Sequence, residues 1–300
     1  MEKETKIQTL SLIAGTEACN ARCPFCVSKM TPVMGVNMRE EPINWERFKE
    51  VMGLAKEGNV DTAMITGKGE PTLFPGHVSG YLTKLDNEER SQGFQIGAKE
   101  LQTNGILFER KREHYEPLLS EWKEGGLGTI AISIVHFEAD RNREIYLPYS
   151  DSYIDLPSVI GFLHGFGFRT RLACILVNGF IDSPDKLDQL IEFARRNESE
   201  ELTVRPVNKP EETRNDEVFN WIDQHHLEEW QLDSIANHLN KLGTVQKQFP
   251  YGATVYDVDG QNVCLTNSLT RDDGQSYMRQ LIFYPSGRIA TDWTEEGETQ

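Results

Sequence analysis

The stretch Glu17-Ala-Cys-Asn-Ala-Arg-Cys-Pro-Phe-Cys26 places three cysteines, at positions 19, 23 and 26, within eight residues. It follows the segment Thr9 to Ala14, in which apolar and polar residues alternate as in a strand, and Gly15 separates the two. We therefore expect the three thiols on a loop directly after the first strand. Cysteines this closely spaced indicate metal binding or redox chemistry rather than disulfides in a chain that stays in a reducing compartment.

The cysteine spacing by itself is compatible with two kinds of metal site. Three thiolates on one loop can hold three corners of an iron–sulfur cube, and because such clusters normally take four cysteines, one iron would stay open to another ligand. A structural zinc site is the alternative, and it would need a fourth ligand from Cys264, Cys174 or a histidine. Cys174 lies in an apolar run, which favours a buried and inert thiol.

Predicted strands and helices alternate over the first two hundred residues or so. Such alternation predicts a parallel sheet with right-handed crossovers, curved or closed as a barrel. The loops after the strands should then converge at one face, where parallel α/β folds build their active sites. The six predicted strands are Thr9 to Ala14, Thr62 to Thr66, Phe94 to Leu101, Thr129 to Val135, Arg171 to Val177 and Leu202 to Pro206.

The composition changes after Pro210, where a polar stretch separates the alternating pattern from a different one. Leu227 to Leu242 is predicted to be helical, and Thr254 to Leu265 and Arg279 to Ala290 are predicted to be strand segments. We therefore divide the chain into an α/β barrel domain, residues 1–210, and a small α+β extension of a helix and a β-hairpin, residues 211–300.

A second motif, Gly67-Lys-Gly-Glu-Pro71, follows the second predicted strand. Its glycines allow the backbone to approach a ligand closely, and its carbonyl groups and the Glu70 carboxylate can accept protons from an ammonium group. Together with the cysteine phrase, this turn resembles the motifs of the radical S-adenosylmethionine (radical SAM) superfamily, with Lys68 as a departure from the family's Gly-Gly-Glu-Pro. Its position one βα unit after the cysteines disfavours zinc.

The resemblance extends over residues 7–210 and implies a partial (β/α)6 barrel of TIM type. It is closest to the branch that contains the molybdenum-cofactor GTP cyclase and the enzymes with SPASM or twitch regions. It implies one 4Fe-4S cluster held by Cys19, Cys23 and Cys26, whose open iron binds S-adenosylmethionine (SAM) and whose reduced form cleaves SAM to a 5′-deoxyadenosyl radical. The positions that match the family's SAM contacts are Gly67, Lys68, Gly69, Glu70, Thr103, Asn104, Ser133 and Arg171, and Asn178 and Gly179 would border the adenine or form an ordinary turn.

The C-terminal part departs from the relatives that carry a second, auxiliary cluster. Val263-Cys264-Leu265 and the segment from Leu281 to Trp293 resemble a shortened auxiliary-cluster region, but Thr291, Asp292 and Trp293 stand where a cysteine is expected. One cysteine cannot hold a second cube, so we predict a single cluster. The C-terminal cysteines typical of the GTP cyclase are also missing, which argues against that activity.

Four residues are candidates for contact with the substrate: His136, Tyr146, Arg205 and Cys264. His136 begins a stretch to Tyr146 that we predict to be a long loop, able to cover the site. Arg205 should point from the sixth strand toward the cavity, or close the barrel against an acidic partner. Arg141 and Arg143 are further candidates for holding an anionic substrate, although exposed arginines are usually only solvated.

The 300 residues carry a formal net charge of −16, which disfavours binding to nucleic acid. The sequence contains no apolar stretch of about 20 residues and no apolar run at its start, so we expect a cytoplasmic protein without a membrane span. A flavodoxin or ferredoxin would supply the electron, and because such donors are typically acidic they would need the basic residues that flank the cysteines, Arg22 and Lys29.

The sequence favours a radical SAM enzyme that acts on a small molecule. Modification of a peptide or of RNA is a competing hypothesis; the charge disfavours RNA, and no peptide-recognition module precedes the first strand. The competing hypothesis from another class is a non-catalytic protein in which the three cysteines bind zinc or a redox-responsive cluster.

Overall fold

The computed structural model describes residues 6–31, 39–207, 209, 215–250, 252–266 and 277–293. The strands are Lys6–Ile13 (β1), Thr62–Thr66 (β2), Ala98–Thr103 (β3), Thr129–Ile134 (β4), Arg169–Leu176 (β5), Glu201–Pro206 (β6), Thr244–Gln248 (β7), Thr254–Val258 (β8), Gln261–Leu265 (β9), Tyr277–Phe283 (β10) and Ile289–Ala290 (β11). The helices are Val27–Met30 (α1), Trp45–Glu57 (α2), Pro75–Gln92 (α3), Ile106–Arg110 (α4), Arg112–Glu124 (α5), Ala139–Tyr146 (α6), Leu156–Gly165 (α7), Pro184–Arg196 (α8), Asp216–His225 (α9) and Glu229–Leu242 (α10), and a 3-10 turn spans Pro71–Leu73.

The described strands form one sheet of eleven, in the order β11-β10-β1-β2-β3-β4-β5-β6-β9-β8-β7. The strands β1 to β6 lie side by side in chain order and all pair in parallel. Helices connect these strands, as crossover connections between parallel neighbours require. The sheet ends at β11 and β7 and is not closed, so the predicted α/β fold with a partial barrel is confirmed.

The two faces of the sheet differ because successive side chains of a strand point to opposite sides. Leu10, Leu12 and Ile65 are fully buried in the large core that packs under the helices. Their neighbours along the strands turn to the other, inner face, where a small separate cluster contains Ile13 and Tyr284. Most other inner positions are polar or charged: Ser11, Thr66, Glu100, Gln102, Ser133, Arg171, Thr203, Arg205 and Cys264.

The C-terminal strands extend the sheet at both of its edges. Strand β9 pairs in parallel with β6, and β10 pairs in parallel with β1, with Lys6 opposite Tyr277 and Leu12 opposite Phe283. The ring of Phe283 is fully buried and packs edge-on against Phe48 of α2. The predicted segment Arg279 to Ala290 contains most of β10 and all of β11, whereas Thr254 to Leu265, predicted as one segment, is the antiparallel pair β8 and β9. These strands continue the sheet of residues 1–210. The predicted helix at 227–242 corresponds to α10, and α9 precedes it.

The segment after β4 differs from the long loop that the sequence suggests. Residues Ala139–Tyr146 form helix α6. The Asn142 side chain fixes its start, because Oδ1 accepts from the Val135 N–H at 2.9 Å and Nδ2 donates to the His136 carbonyl. Asn142 is fully buried, so these bonds are shielded from water. The segment is a helix held against the end of β4 and not an open cover.

Across the described ranges, no helix combines the length and apolar character needed to cross a bilayer.

Candidate active site at the carboxyl edge of the sheet

The three cysteines follow β1 on a loop that ends in the short helix α1. Cys19, Cys23 and Cys26 are partly buried. The loop is held by its own backbone and by α6, because the Ala21 N–H donates to Cys19 Sγ at 3.4 Å and the Arg22 N–H donates to the Tyr146 carbonyl at 2.9 Å. These two hydrogen bonds hold the loop that carries the three cysteines.

The glycine turn after β2 lies directly against the backbone that precedes the cysteines. The Glu70 N–H donates to the Ala18 carbonyl at 3.0 Å. A Cβ atom at Gly69 would stand 2.1 Å from the Ala18 oxygen and 2.7 Å from the Thr16 oxygen, so only glycine allows this approach. Two motifs that are more than forty positions apart in the sequence, at Cys19 and Gly67, therefore meet at one edge of the sheet.

Glu70 is buried, and hydrogen bonds hold both of its carboxylate oxygens. Oε1 accepts from Thr103 Oγ1 at 2.6 Å and from Thr72 Oγ1 at 2.7 Å, and Oε2 accepts from the Asn104 N–H at 2.8 Å. Burial raises the pKa of this carboxyl group, while the bonds from Thr103, Asn104 and Thr72 lower it. Glu70 thus joins the turn after β2 to the end of β3, and this bonding leaves little of the carboxylate for an ammonium ligand.

Asn104 connects the end of β3 to the cysteine loop. Its Nδ2 donates to Asn20 Oδ1 at 2.6 Å and lies 3.9 Å from Cys19 Sγ, within the range of a weak hydrogen bond to sulfur. Its Oδ1 accepts from the Ile106 N–H and fixes the start of α4. Because the amide is held from both ends, Asn104 positions Cys19 and its surroundings.

The described residues contain no group of three or more Cys, His, Asp or Glu side chains arranged around a single metal ion. A zinc site would require such convergence, with ligands about 2.0–2.3 Å from one centre. An iron–sulfur cube distributes its thiolates over different iron atoms, so its three cysteines stand farther apart.

Burial and the neighbouring cysteines disfavour the thiolate forms of Cys19 and Cys23. Burial raises the pKa of Cys19 to about 11, and burial together with the charges of Cys26 and Cys19 raises the pKa of Cys23 further. A cluster would compensate this charge and release the thiol protons on binding. The donor set therefore has the chemistry expected of a site that is completed by a cationic centre.

Two buried hydroxyl groups near Cys23 have no hydrogen-bond partner in the part of the chain that the structure describes. These are Tyr146 Oη and Tyr153 Oη, on rings whose centroids are 6.1 Å apart. Both hydroxyls lie within electrostatic range of the Cys23 sulfur. Unpaired buried donors cost free energy, so each favours an acceptor supplied by a bound group, such as a sulfur atom of a cluster or an oxygen atom of a ligand. The residues present fit the cluster that the motif implies.

Lys68 occupies the variable position of the glycine turn and is almost completely buried, with 3% of its surface exposed. Its Nζ donates to Thr31 Oγ1 at 2.9 Å, and its carbonyl accepts from Ser28 Oγ next to the last cysteine. Burial lowers the pKa of the ammonium group, whereas Glu17 and Cys26 raise it. The Lys68 side chain therefore packs beside the end of the cysteine loop.

Ser133 and Arg171 lie on the inner face at different depths. Ser133 is one residue from the end of β4 and close to the site edge. Arg171 is the third residue of β5, and its guanidinium bonds Glu100 on β3 and lies 4.0 Å from Glu201 on β6. This ion pair lies below the edge at which the cysteines and the glycine turn meet, and it engages the guanidinium that the resemblance assigns to SAM.

The four candidate substrate residues are distributed over the inner face and its rim. Tyr146 and Arg205 are electrostatic neighbours, whereas Cys264 lies deeper, opposite Thr203 and near Arg171. His136 is 7% exposed, accepts the Glu138 N–H at 3.1 Å and stacks on Phe137, and burial lowers its pKa. These contacts hold the His136 ring just before the start of α6.

The further arginine candidates make contacts within their own surroundings. Arg141 donates to the Gly179 carbonyl at 2.6 Å and stacks over Phe180, and Arg143 donates to the Ser150 carbonyl at 3.1 Å. These arginines hold α6 against the loop after β5 and the loop before α7. The turn that contains Asn178 and Gly179 is exposed, and the Asn178 N–H donates to His225 of α9.

A family model described as the radical SAM superfamily matches residues 13–194. The chain belongs to the radical SAM superfamily. The match covers the cysteine loop, the glycine turn and strands β2 to β5 of this superfamily member. No curated protein matches this chain.

The fold is similar to several solved structures at low sequence identity. Streptococcus suis SuiB bound to the precursor peptide SuiA is 13% identical, with a TM-score of 0.55 over 96% of this chain and 60% of that one. A radical SAM methyltransferase from Sphaerobacter thermophilus is 13% identical, with a TM-score of 0.55 over 86% of this chain and 66% of that one. Methylornithine synthase (PylB) is 13% identical, with a TM-score of 0.53 over 90% and 74%. The chain thus spans about 60% of the length of SuiB.

Sequence reasoning alone missed Tyr153 and Asn20 as members of the site. Tyr153 lies outside every predicted strand and motif, and the approach of its hydroxyl to Cys23 depends on the fold. Asn20 stands inside the cysteine phrase, so a search for hydrogen-bonding side chains between the cysteines would have found it.

Proposed function

We propose that this chain is a radical SAM enzyme that acts on a small molecule. Cys19, Cys23 and Cys26 would hold a 4Fe-4S cluster, which, when bound and reduced, supplies the electron that cleaves SAM to the radical that removes hydrogen from the substrate. The observation that carries the proposal is the contact of the glycine turn, through Gly69 and Glu70, with the backbone at Ala18.

The chain's own residues would position SAM at this edge. Gly67, Lys68 and Gly69 offer backbone groups beside the cysteines, and Thr103, Asn104 and Ser133 line the ends of β3 and β4. Glu70 would act by fixing Thr103 and Asn104, because its oxygens already accept their bonds. Arg171 is better explained as part of an ion pair with Glu100 than as a SAM ligand.

The electron donor would approach from the side of the cysteine loop. Arg22 and Lys29 are exposed there, and their charged groups donate to the carbonyls of Cys19 and Cys23 at 3.3 Å each. A cleft of about 300 Å³ between this loop and α9 is lined by Pro24, Lys29 and Trp221 among others. A reduced flavodoxin or ferredoxin, in the cytoplasm, is the donor class that fits two local cations on an otherwise acidic protein.

The decisive experiment is formation of 5′-deoxyadenosine from SAM by anaerobically reconstituted and reduced protein. The wild type is expected to form it and Cys23→Ala is not, whereas Cys174→Ala, which removes a buried thiol on the helix side of β5, is the matched control and keeps the activity. Equal, background-level product from wild type and Cys23→Ala, with iron content confirmed in the wild type, would reject the proposal.

Modification of a peptide is the second candidate. It is favoured by the similarity to SuiB, whose structure contains a precursor peptide and which aligns with 96% of this chain. Iron and zinc analysis of the purified protein tests the zinc form of the non-catalytic alternative, because a zinc-binding protein would contain neither iron nor the absorbance of a cluster. A redox-responsive cluster protein would contain iron and would not convert SAM to 5′-deoxyadenosine.

A further inference from the structure

Arg205 is a cation on the inner face at the edge of the candidate site. It is the fifth residue of β6 and lies opposite Ile175 of β5. Leu202 and Val204 are fully buried on the helix side, so alternation places Arg205 on the inner side, partly buried. Residue 201 is level with the Arg171 ion pair and lies four positions before Arg205 on the same strand. Arg205 is therefore roughly 13 Å closer to the carboxyl edge of the sheet than that ion pair.

The positive charge of Arg205 has no counter-ion in the part of the chain described. Arg171 has Glu100 and Glu201 as carboxylate partners, whereas no carboxylate within the described ranges lies at ion-pair distance from Arg205. Burial lowers the pKa of the Arg205 guanidinium, as do Arg279 and Arg171, while Tyr146 raises it. Withdrawing a charge from water without a partner is costly, so this position favours an anionic ligand.

A second donor lies near Arg205. Tyr146 is 3% exposed, its hydroxyl has no partner among the described residues, and it is an electrostatic neighbour of both Arg205 and Cys23. A guanidinium beside a free hydroxyl is a donor set suited to a carboxylate. One uncompensated positive charge matches a monoanion better than a doubly charged phosphate.

We propose that Arg205 and Tyr146 form a carboxylate-binding subsite and that the substrate is therefore a small carboxylic acid. The inference rests on the proposed function, which supplies the reaction at this edge. The glycine turn follows β2, and β6 lies three strands beyond β3, roughly 14 Å along the sheet. With this separation, the methionine part of SAM would lie at the ends of β2 and β3, and the substrate would lie at the end of β6.

The test measures binding of propionate to the reconstituted protein with SAM present, by ligand-observed NMR, with propionamide as the neutral isostere. Wild type is expected to bind propionate and not propionamide. Arg205→Gln should weaken propionate binding by about tenfold or more, Tyr146→Phe by about threefold, and Arg205→Lys should retain part of it. The matched control is Arg195→Gln, which removes an exposed arginine of α8 and should bind as wild type does.

Equal propionate binding by wild type and Arg205→Gln, or none by wild type, would overturn the inference. Equilibrium dialysis with SAM separates the two possible sources of the carboxylate. Unchanged SAM affinity in Arg205→Gln supports a substrate site, whereas a tenfold loss of SAM affinity would assign Arg205 to the carboxylate of SAM and overturn it. Absence of 5′-deoxyadenosine from wild type would reject the proposed function, and the propionate comparison would still decide the subsite.

Discussion

Tyr153 has a buried hydroxyl within electrostatic range of Cys23 and without a partner among the described residues. In the cluster-free protein, Tyr153→Phe should raise the free energy of unfolding by about 1 kcal/mol, because it removes an unsatisfied donor. In the reconstituted protein it should lower the midpoint potential of the cluster, because a donor to sulfur stabilises the more negative reduced state. Denaturant unfolding and a potentiometric titration followed by EPR check the two results.

Tyr115→Phe is the matched control for that variant. The Tyr115 hydroxyl donates to the Thr72 carbonyl, so its removal should lower the free energy of unfolding by about 1 kcal/mol and leave the midpoint potential unchanged. A Tyr153→Phe protein that behaves like Tyr115→Phe in both measurements would contradict the assignment of Tyr153 to the cluster.

Cys264 should be an unreactive thiol near neutral pH. Burial raises its pKa to about 11, with Arg171 lowering it and Glu201 raising it. About one molecule in a thousand would then carry the thiolate at pH 8, and the rate of alkylation by iodoacetamide should rise as the pH approaches 11. Mass spectrometry of the Cys264 peptide measures this rate, with denatured protein as the reference; equal rates at pH 8 in the folded and denatured protein would refute it.

The residues that the motifs identify differ in how well sequence determines their roles. The cysteines and Gly69 are readable because their chemistry or size leaves few alternatives. The roles of Glu70 and Arg171 are not, because each depends on partners from other strands: Thr103 and Asn104 for Glu70, and Glu100 for Arg171. A polar side chain on an inner face looks the same in sequence whether its partner is a ligand or a neighbouring strand.

At the scale of elements, the contact between the glycine turn and the cysteine loop has a direct test. Gly69→Ala should lower the free energy of unfolding by about 2–3 kcal/mol and reduce the iron retained per chain, because the new Cβ would meet the Ala18 carbonyl at 2.1 Å. Urea unfolding and iron analysis measure both effects.

Gly53→Ala is the corresponding control for the glycine turn. Gly53 lies inside α2 and nothing stands within 4 Å of the added Cβ, so this substitution should raise the free energy of unfolding by about 0.5–1 kcal/mol and leave iron binding intact. If Gly69→Ala matched Gly53→Ala in stability and iron content, the turn would not be in close contact with the loop.

Local sequence signals account for some of the helices and not for others. The helix Pro184–Arg196 can be read from the sequence, because proline begins it and a strong amphipathic pattern fills it. The segment from His136 to Tyr146 was predicted as a loop, yet buried bonds from Asn142 make most of it a helix. Such a tertiary contact is not visible in the pattern of apolar residues.

At the scale of the whole molecule, the C-terminal strands should unfold together with the barrel strands. Phe283→Ala is expected to lower the free energy of unfolding by about 3–5 kcal/mol, because the ring is fully buried. Its centroid lies 5.4 Å from the ring centroid of Phe48 and 6.4 Å from that of Tyr81. The unfolding should remain a single transition by circular dichroism and by fluorescence.

Trp230→Ala controls for the loss of a large aromatic side chain. Trp230 is 70% exposed, so its removal should change the free energy of unfolding by less than about 0.5 kcal/mol. A Phe283→Ala protein as stable as Trp230→Ala, or two separate transitions in the wild type, would indicate that the C-terminal segment is an independent unit.

The pairing of β1 with β10 also bears on the order in which the protein is made. Strand β1 leads into the cysteine loop, yet β10, one of its two neighbours, is synthesised long after it, since Leu12 lies opposite Phe283. Such distant contacts close late and slowly. During synthesis the edge of β1 that later pairs with β10 is exposed while β2 to β6 assemble. A cluster delivered before the chain is released would therefore meet a cysteine loop whose preceding strand, β1, is paired only with β2. Loading of the cofactor is therefore expected to follow translation.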